Sequence, residues 1–161
     1  MAETNDVQAE LNLDAKVTVK NIAPWTVGFA RKADGIGDIS IAPGGMIRLS
    51  RNEIIVQSQS GNKLFNGIDD RGSHATLYVD DAPTRKELEF ETDEAEQISF
   101  ATLSMKDLFD SKKKQPAFEK EFVDKIRTRA EKCAIMEAMR KANVSDYHKI
   151  RFAEQHTGFK Y

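Results

Sequence analysis

The chain has 161 residues, 40% apolar and 31% charged, with a net charge of −2. That length fits one domain, or one small domain with an appendage, and it can bury a core without metal or disulfide staples. Cys133 is the only cysteine, which excludes an internal disulfide, and apolar runs such as Ile54-Ile55-Val56 are far too short for a membrane span.

Met1 to about Ala15 is polar and acidic, carrying Glu3, Asp6, Glu10 and Asp14, no basic side chain, and only Val7, Leu11 and Leu13 to bury. It reads as a flexible arm over residues 1–15 that orders against a neighbour, and it lacks the positive start of a secretory signal. From Lys16 the pattern changes. Val17 and Val19 alternate with polar residues, and Val27 and Phe29 alternate again after Pro24-Trp25, so two half-buried strands are expected. Asp34-Gly35-Ile36-Gly37 is turn chemistry, and a third strand runs from Asp38 to Ile41.

Next comes the most consistent stretch of the chain, Ile41 to Glu53. Pro43-Gly44 predicts a type II turn, Met46 to Leu49 a strand, and Ser50 with Glu53 a capping box opening a helix to about residue 60. Gly61-Asn62 ends that helix through a left-handed backbone. Leu64-Phe65 reads as a brief extended piece, Gly67 to Ser73 as a polar loop, and His74 to Val79 as another strand. Over Thr84 to Glu91, Leu88 and Phe90 alternate like a strand while Arg85-Lys86-Glu87 would suit a helix, and a closing strand is the preferred reading; Ile98, Phe100 and Leu103 read as one more strand or an extended link. Ser104 should cap a short helix through Leu108-Phe109.

After the basic run Lys112-Lys113-Lys114, Pro116 opens what looks like the longest helix, to about Ala142. Phe118, Phe122, Ile126, Ala130, Cys133 and Met136 share one stripe at helical spacing, and Ile135, Ala138, Met139 and Ala142 lie on another side. A second helix, from about Ser145 to His156 with Tyr147 and Ile150 inward and Gly158 as its stop, would cover the second stripe. The expected fold is therefore α+β. A β-rich domain, a small barrel or sandwich over residues 16–103 with one inserted helix at about 51–60, precedes a helical hairpin in residues 104–161.

Charge is unevenly spread: −1 over residues 1–79, −7 over 80–110 and +6 over 111–161. Opposite-sign segments can pair within the chain, between subunits or with separate partners.

Few residues offer chemistry. Gly35-Ile36-Gly37 lacks the third glycine and the following helix of a dinucleotide fingerprint. Asp69-Asp70-Arg71-Gly72 lacks the alternating ligands of a calcium loop. His148 and His156 are about 12 Å apart along a helix, too far to share one metal ion. His74 beside Asp69, Asp70 and Ser73 could form a nucleophile and base, although a histidine satisfied by loop oxygens is the plainer reading. Cys133 reads as core. Trp25 is either a core plug or an exposed anchor of the kind enriched at contact hot spots. The basic carboxyl region could contact nucleic acid through two helices joined at Asn143-Val144, but acidic residues interleave with its cations. No catalytic group, cofactor or metal ligand set emerges. Trp25, Lys112, Lys113, Lys114, Arg127 and Arg129 are the candidate partner contacts.

Asn21-Ile22-Ala23-Pro24-Trp25, Ile41-Ala42-Pro43-Gly44-Gly45, Ser50-Arg51-Asn52-Glu53-Ile54 and Gly61-Asn62-Lys63-Leu64-Phe65-Asn66-Gly67 together resemble small β-domains of tailed-bacteriophage virion proteins, over about residues 16–90. The resemblance implies a capsid-associated, decoration or connector role in a particle assembled in the host cytoplasm. Its partners would be other virion proteins, such as the major capsid or connector protein, with self-association as well. It carries over no site residue. Two alternatives from other classes are a nucleic-acid-binding regulator using the basic helices and a small hydrolase using His74.

Overall fold

The computed structural model describes residues 11–161. Five strands and seven helices follow in the order β1 (Lys16–Asn21), β2 (Val27–Ala30), β3 (Asp38–Ile41), β4 (Met46–Ser50), α1 (Arg51–Gln59), α2 (Lys63–Asn66), β5 (Leu77–Asp80), α3 (Ala82–Glu87), α4 (Met105–Leu108), α5 (Gln115–Lys125), α6 (Arg129–Lys141) and α7 (Tyr147–Thr157). The class is α+β. The strands form two small antiparallel sheets, one in the order β4-β1-β5 and the other a β2–β3 pair, and no closed barrel forms among the described residues.

Both sheets bury their apolar rows in one core. Val17 and Val19 of β1, Val27 of β2, Ile39 and Ile41 of β3, Leu49 of β4 and Val79 of β5 pack with Ile54 of α1 and Phe65 of α2. Period-2 alternation places these side chains on one face of each strand. The type II turn is present, with Gly44 at φ 63° and its Gly45 N–H donating to Ala42 O at 2.8 Å. Ser50 caps α1 by accepting from Glu53 N at 3.0 Å. Glu53 does not close the box in return. Its buried carboxylate reaches the β2–β3 loop and accepts from Lys32 N, Ala33 N and Asp34 N at 2.9–3.0 Å. One acid therefore shapes a loop some twenty residues upstream.

A second core lies in the carboxyl third, where Leu108, Phe118, Phe122, Ile126, Ile135, Met136, Met139 and Ala153 are buried together. Phe118, Phe122 and Phe152 meet at edge or tilted geometry with centroids 5.4–6.2 Å apart, an arrangement that adds to the area they bury.

Several expectations are corrected. The long helix from Pro116 is two helices. Ile126 leaves the helix at φ −115°, ψ 97°, and Thr128 with Glu131 forms a complete capping box that starts α6. The carboxyl region is thus a cluster built on α5, α6 and α7 with α4 against it, not a two-helix hairpin. The break turns Ala130 into the β-sheet core while Ile135, Met136 and Met139 enter the helical one. Tyr147 is 62% exposed, and Lys149 and Ala153 face inward in its place. Residues 84–91 are not a strand, because Asp81 caps α3 by accepting from Thr84 N, with Pro83 in the first turn. Leu64-Phe65 belongs to α2, capped by Asn62. His74 has φ 58° and cannot continue a strand, so β5 begins only at Leu77. Residues 98–103 hold a 3-10 turn, Phe100–Thr102.

Most of the arm expected over residues 1–15 lies outside the described residues. Leu13 and Ala15 are held, their carbonyls accepting from Asn52 N and Arg51 N at 3.0 Å.

Candidate docking surface

In a chain where charge is frequent, no charged residue occurs from Asn21 to Ala30 or from Ile39 to Ile47. The fold brings the Ile22–Thr26 loop and the Ala42–Gly45 turn together at one end of the β module. Asn21 is the clamp. Its buried side-chain amide donates to Trp25 O at 2.8 Å, Ala42 O at 3.1 Å and Ile41 O at 3.2 Å, while its Oδ1 accepts from Ala23 N at 2.9 Å. Gly44 N donates to Ala23 O at 3.0 Å, and Asn21 N to Gly45 O at 2.9 Å. A single buried asparagine thereby gives Trp25 O its donor and Ala42 O a second donor beside Gly45 N, tying the two loops together.

Two large apolar side chains stand on this braced tip. Trp25 is 37% exposed and Met46, the first residue of β4, is 62% exposed; Ala42, Pro43 and Gly44 are exposed between them. Trp25 is thus not a core plug. Trp25 sits in the uncharged, braced loop, where docking strips no water from a charge and little conformational freedom remains to be lost, whereas Met46 lies directly across the β1–β4 ladder from Lys20.

The basic candidates are not gathered in the same way. Lys112, Lys113 and Lys114 precede α5, while Arg127 and Arg129 follow it, so about 16 Å of helix separates the two groups. Lys113 is paired with Glu121, and Arg127 lies 3.7 Å from Asp124; Lys112, Lys114 and Arg129 are exposed. Other cations of the region are also engaged. Lys149 is buried and donates to Asp110 O at 2.9 Å, Arg140 donates to Lys160 O at 3.0 Å, and Arg151 donates to the Tyr147 hydroxyl at 3.1 Å.

No family model, curated protein or solved structure matches the chain.

His74 does not join the loop beside it. The ring is buried against Glu131, while Asp69 accepts from Arg71 N at 2.8 Å and Ser73 N at 3.2 Å. Burial raises the Asp69 pKa, but hydrogen bonds from Ser73 and Arg71 bring it below the ordinary aspartate value. Cys133 is half-buried rather than core. His148 is exposed at the start of α7, and His156 holds Ile126 O at 2.6 Å near its end. No cluster of three or more metal-ligating side chains occurs among the described residues, and no helix there is long and apolar enough to cross a membrane. A concavity of about 630 Å³ opens between α4 and the α6–α7 loop, lined by Met105, Phe109 and Val144 with Lys149 at its base.

Sequence reasoning named Trp25 but missed Asn21 and Met46. The signal was the pair of charge-free stretches, which gains meaning only when the fold sets them side by side.

Proposed function

We propose that this chain is a non-enzymatic assembly protein of a tailed-phage particle, in which the Trp25–Met46 tip docks on another virion protein such as the major capsid or connector protein. The observation that carries the reading is the tip itself, two uncharged loops braced by Asn21 that present a tryptophan and a methionine to solvent. Exposed tryptophans on rigid supports are typical anchors of protein contacts. The resemblance of residues 16–90 to virion β-domains supports the particle as the setting. In this reading the two sheets act as a small sandwich that holds the tip, and Lys112, Lys114 and Arg129 supply peripheral charge that steers encounter without deciding affinity.

The test is co-sedimentation of the purified full-length protein with phage particles and with isolated capsid and connector proteins. Wild type should pellet with one of them. Trp25→Ala should lose most of that binding while its thermal unfolding stays close to wild type. Retention of full binding by both Trp25→Ala and Met46→Ala would remove the tip from the reading, and absence of any virion partner would remove the particle.

A further inference from the structure

Among the described residues, β4 has an open edge. Asn21 N donates to Gly45 O, and Arg51 N to Ala15 O, so the β1–β4 ladder is hydrogen-bonded at these positions and at Val19↔Ile47 and Val17↔Leu49 between them. Antiparallel alternation then turns the N–H and C=O groups of Met46 and Arg48 outward. Neither residue's backbone meets a partner among the described residues, and β4 pairs with β1 alone. The side-chain rows flanking this edge differ. On the outer face lie Met46 and Arg48 of β4 and Lys16 and Lys20 of β1, with Asp80 as the counter-charge of Lys20 at 3.3 Å. On the inner face Ile47 is only half-buried, although it packs on the core.

The same chain carries a segment with the matching pattern. Val7, Ala9 and Leu11 alternate with Asp6, Gln8 and Glu10, the period of a strand with one apolar and one acidic face. Laid along β4, such a strand would place its apolar row beside Ile47 and Leu49 and its acids beside Arg48, with Met46 on the same outer row and the β1 lysines one strand further in.

The arm's own chain is a poor host. β4 runs from Met46 to Ser50, and Leu13 and Ala15 are fixed beside Arg51 and Asn52, just past that end. Within one chain the arm could meet the edge only parallel to β4. It would also have to cross beneath β4 within Asn12–Ala15, whose carbonyls at 13 and 15 are already held. A second copy is free to approach antiparallel, the more stable pairing. We infer that residues 6–11 of one copy add as a strand to the β4 edge of a second copy, so that the protein self-associates by strand addition. This extends the assembly role proposed above without depending on it.

Sedimentation velocity of the full-length protein over a concentration series tests the inference. Wild type should show mass above the monomer, rising with concentration and falling at high salt, since acidic and basic rows face each other. Ala9→Pro removes an N–H from the acidic arm itself, and Arg48→Pro removes an outward N–H while sparing the β1 ladder; each should weaken association at least roughly tenfold. Arg48→Glu should weaken it too, and combination with Glu10→Lys should restore it. A synthetic peptide of residues 2–13 in excess should return wild type to monomer. If Arg48→Pro proves unfolded by circular dichroism, Ala9→Pro decides. A wild type that stays monomeric at every concentration overturns the inference, as does one whose arm amides are protected from hydrogen exchange in the monomer. So does an oligomer that survives Ala9→Pro. Trp25→Ala should leave self-association intact, which separates this result from the fate of the docking tip.

Discussion

His74 Nδ1 lies 2.9 Å and 3.0 Å from the two carboxylate oxygens of Glu131, 57 residues further along the chain. Both side chains are buried, and the pair ties the loop before β5 to the first turn of α6. Glu131 has a second duty, since Oε1 also accepts from Arg127 N at 2.9 Å and Thr128 N at 3.0 Å. Glu131→Ala removes a cap and an imidazole partner together and should cost at least about 2 kcal/mol. His74→Ala should cost less, because the cap survives. A double-mutant cycle in urea should give a coupling of about 0.5–3 kcal/mol; additivity within error would mean the pair holds nothing together.

Glu53 makes stability depend on acid. Burial raises its pKa, but the N–H groups of Asp34, Ala33 and Lys32 and the Gln57 amide together hold the carboxyl below the ordinary glutamate value. A depressed folded pKa stabilises fully above the unfolded value, and that contribution is lost as pH falls through the folded one. Wild type should therefore lose melting temperature as pH drops below about 4.5, the ordinary value. Glu53→Gln should start lower and fall less steeply over the same window. Melting curves of both proteins across that range check the sign.

The turn at the tip and the loop before β5 each hold a glycine with positive φ, and their tolerance should differ. A Cβ at Gly44 meets nothing within 4 Å, so Gly44→Ala pays only the left-handed backbone, about 1–2 kcal/mol. A Cβ at Gly67 would lie 2.2 Å from Ser73 O, which is backbone and cannot swing away. Gly67→Ala should unfold the protein or rebuild the 67–73 loop. Chemical denaturation separates the two cases.

Asn21→Ala should affect both fold and docking. Trp25 O and Ala23 N lose their partner and Ile41 O and Ala42 O lose one donor each, Ala42 O keeping Gly45 N, a loss of about 2 kcal/mol given the cost of unpaired buried groups. Trp25 fluorescence should shift as the loop loosens, whereas Asn21→Asp, which keeps the bond from Ala23 N but loses the donors, should fall between.

The local grammar of the chain was readable where neighbours in sequence are neighbours in space. The Pro43-Gly44 turn, the Ser50 cap and the stop at Gly158, with φ 79°, follow from residue types alone. The α5–α6 break was equally written in Thr128-x-x-Glu131, but the continuous stripe from Phe118 to Met136 masked it. Asp81-Ala82-Pro83-Thr84 likewise carried a helix start that the alternation of Leu88 and Phe90 outweighed. Other features had no local signature. Glu53 looks like half a capping box until the β2–β3 loop folds over it, and the Asn21 clamp exists only once residues twenty apart converge. For the docking tip, composition gave the absence of charge and only the tertiary fold gave the shape.

The position of Glu131 also bears on how the protein is made. Synthesis delivers every strand of the β module before the residue that receives the His74 ring, and before Ala130, which completes the β core. Until that point emerges from the ribosome, a buried imidazole in a left-handed backbone has no carboxylate to hold it. The nascent β module is therefore unfinished until late in translation, and a fragment cut at the apparent boundary near residue 104 would inherit that defect permanently.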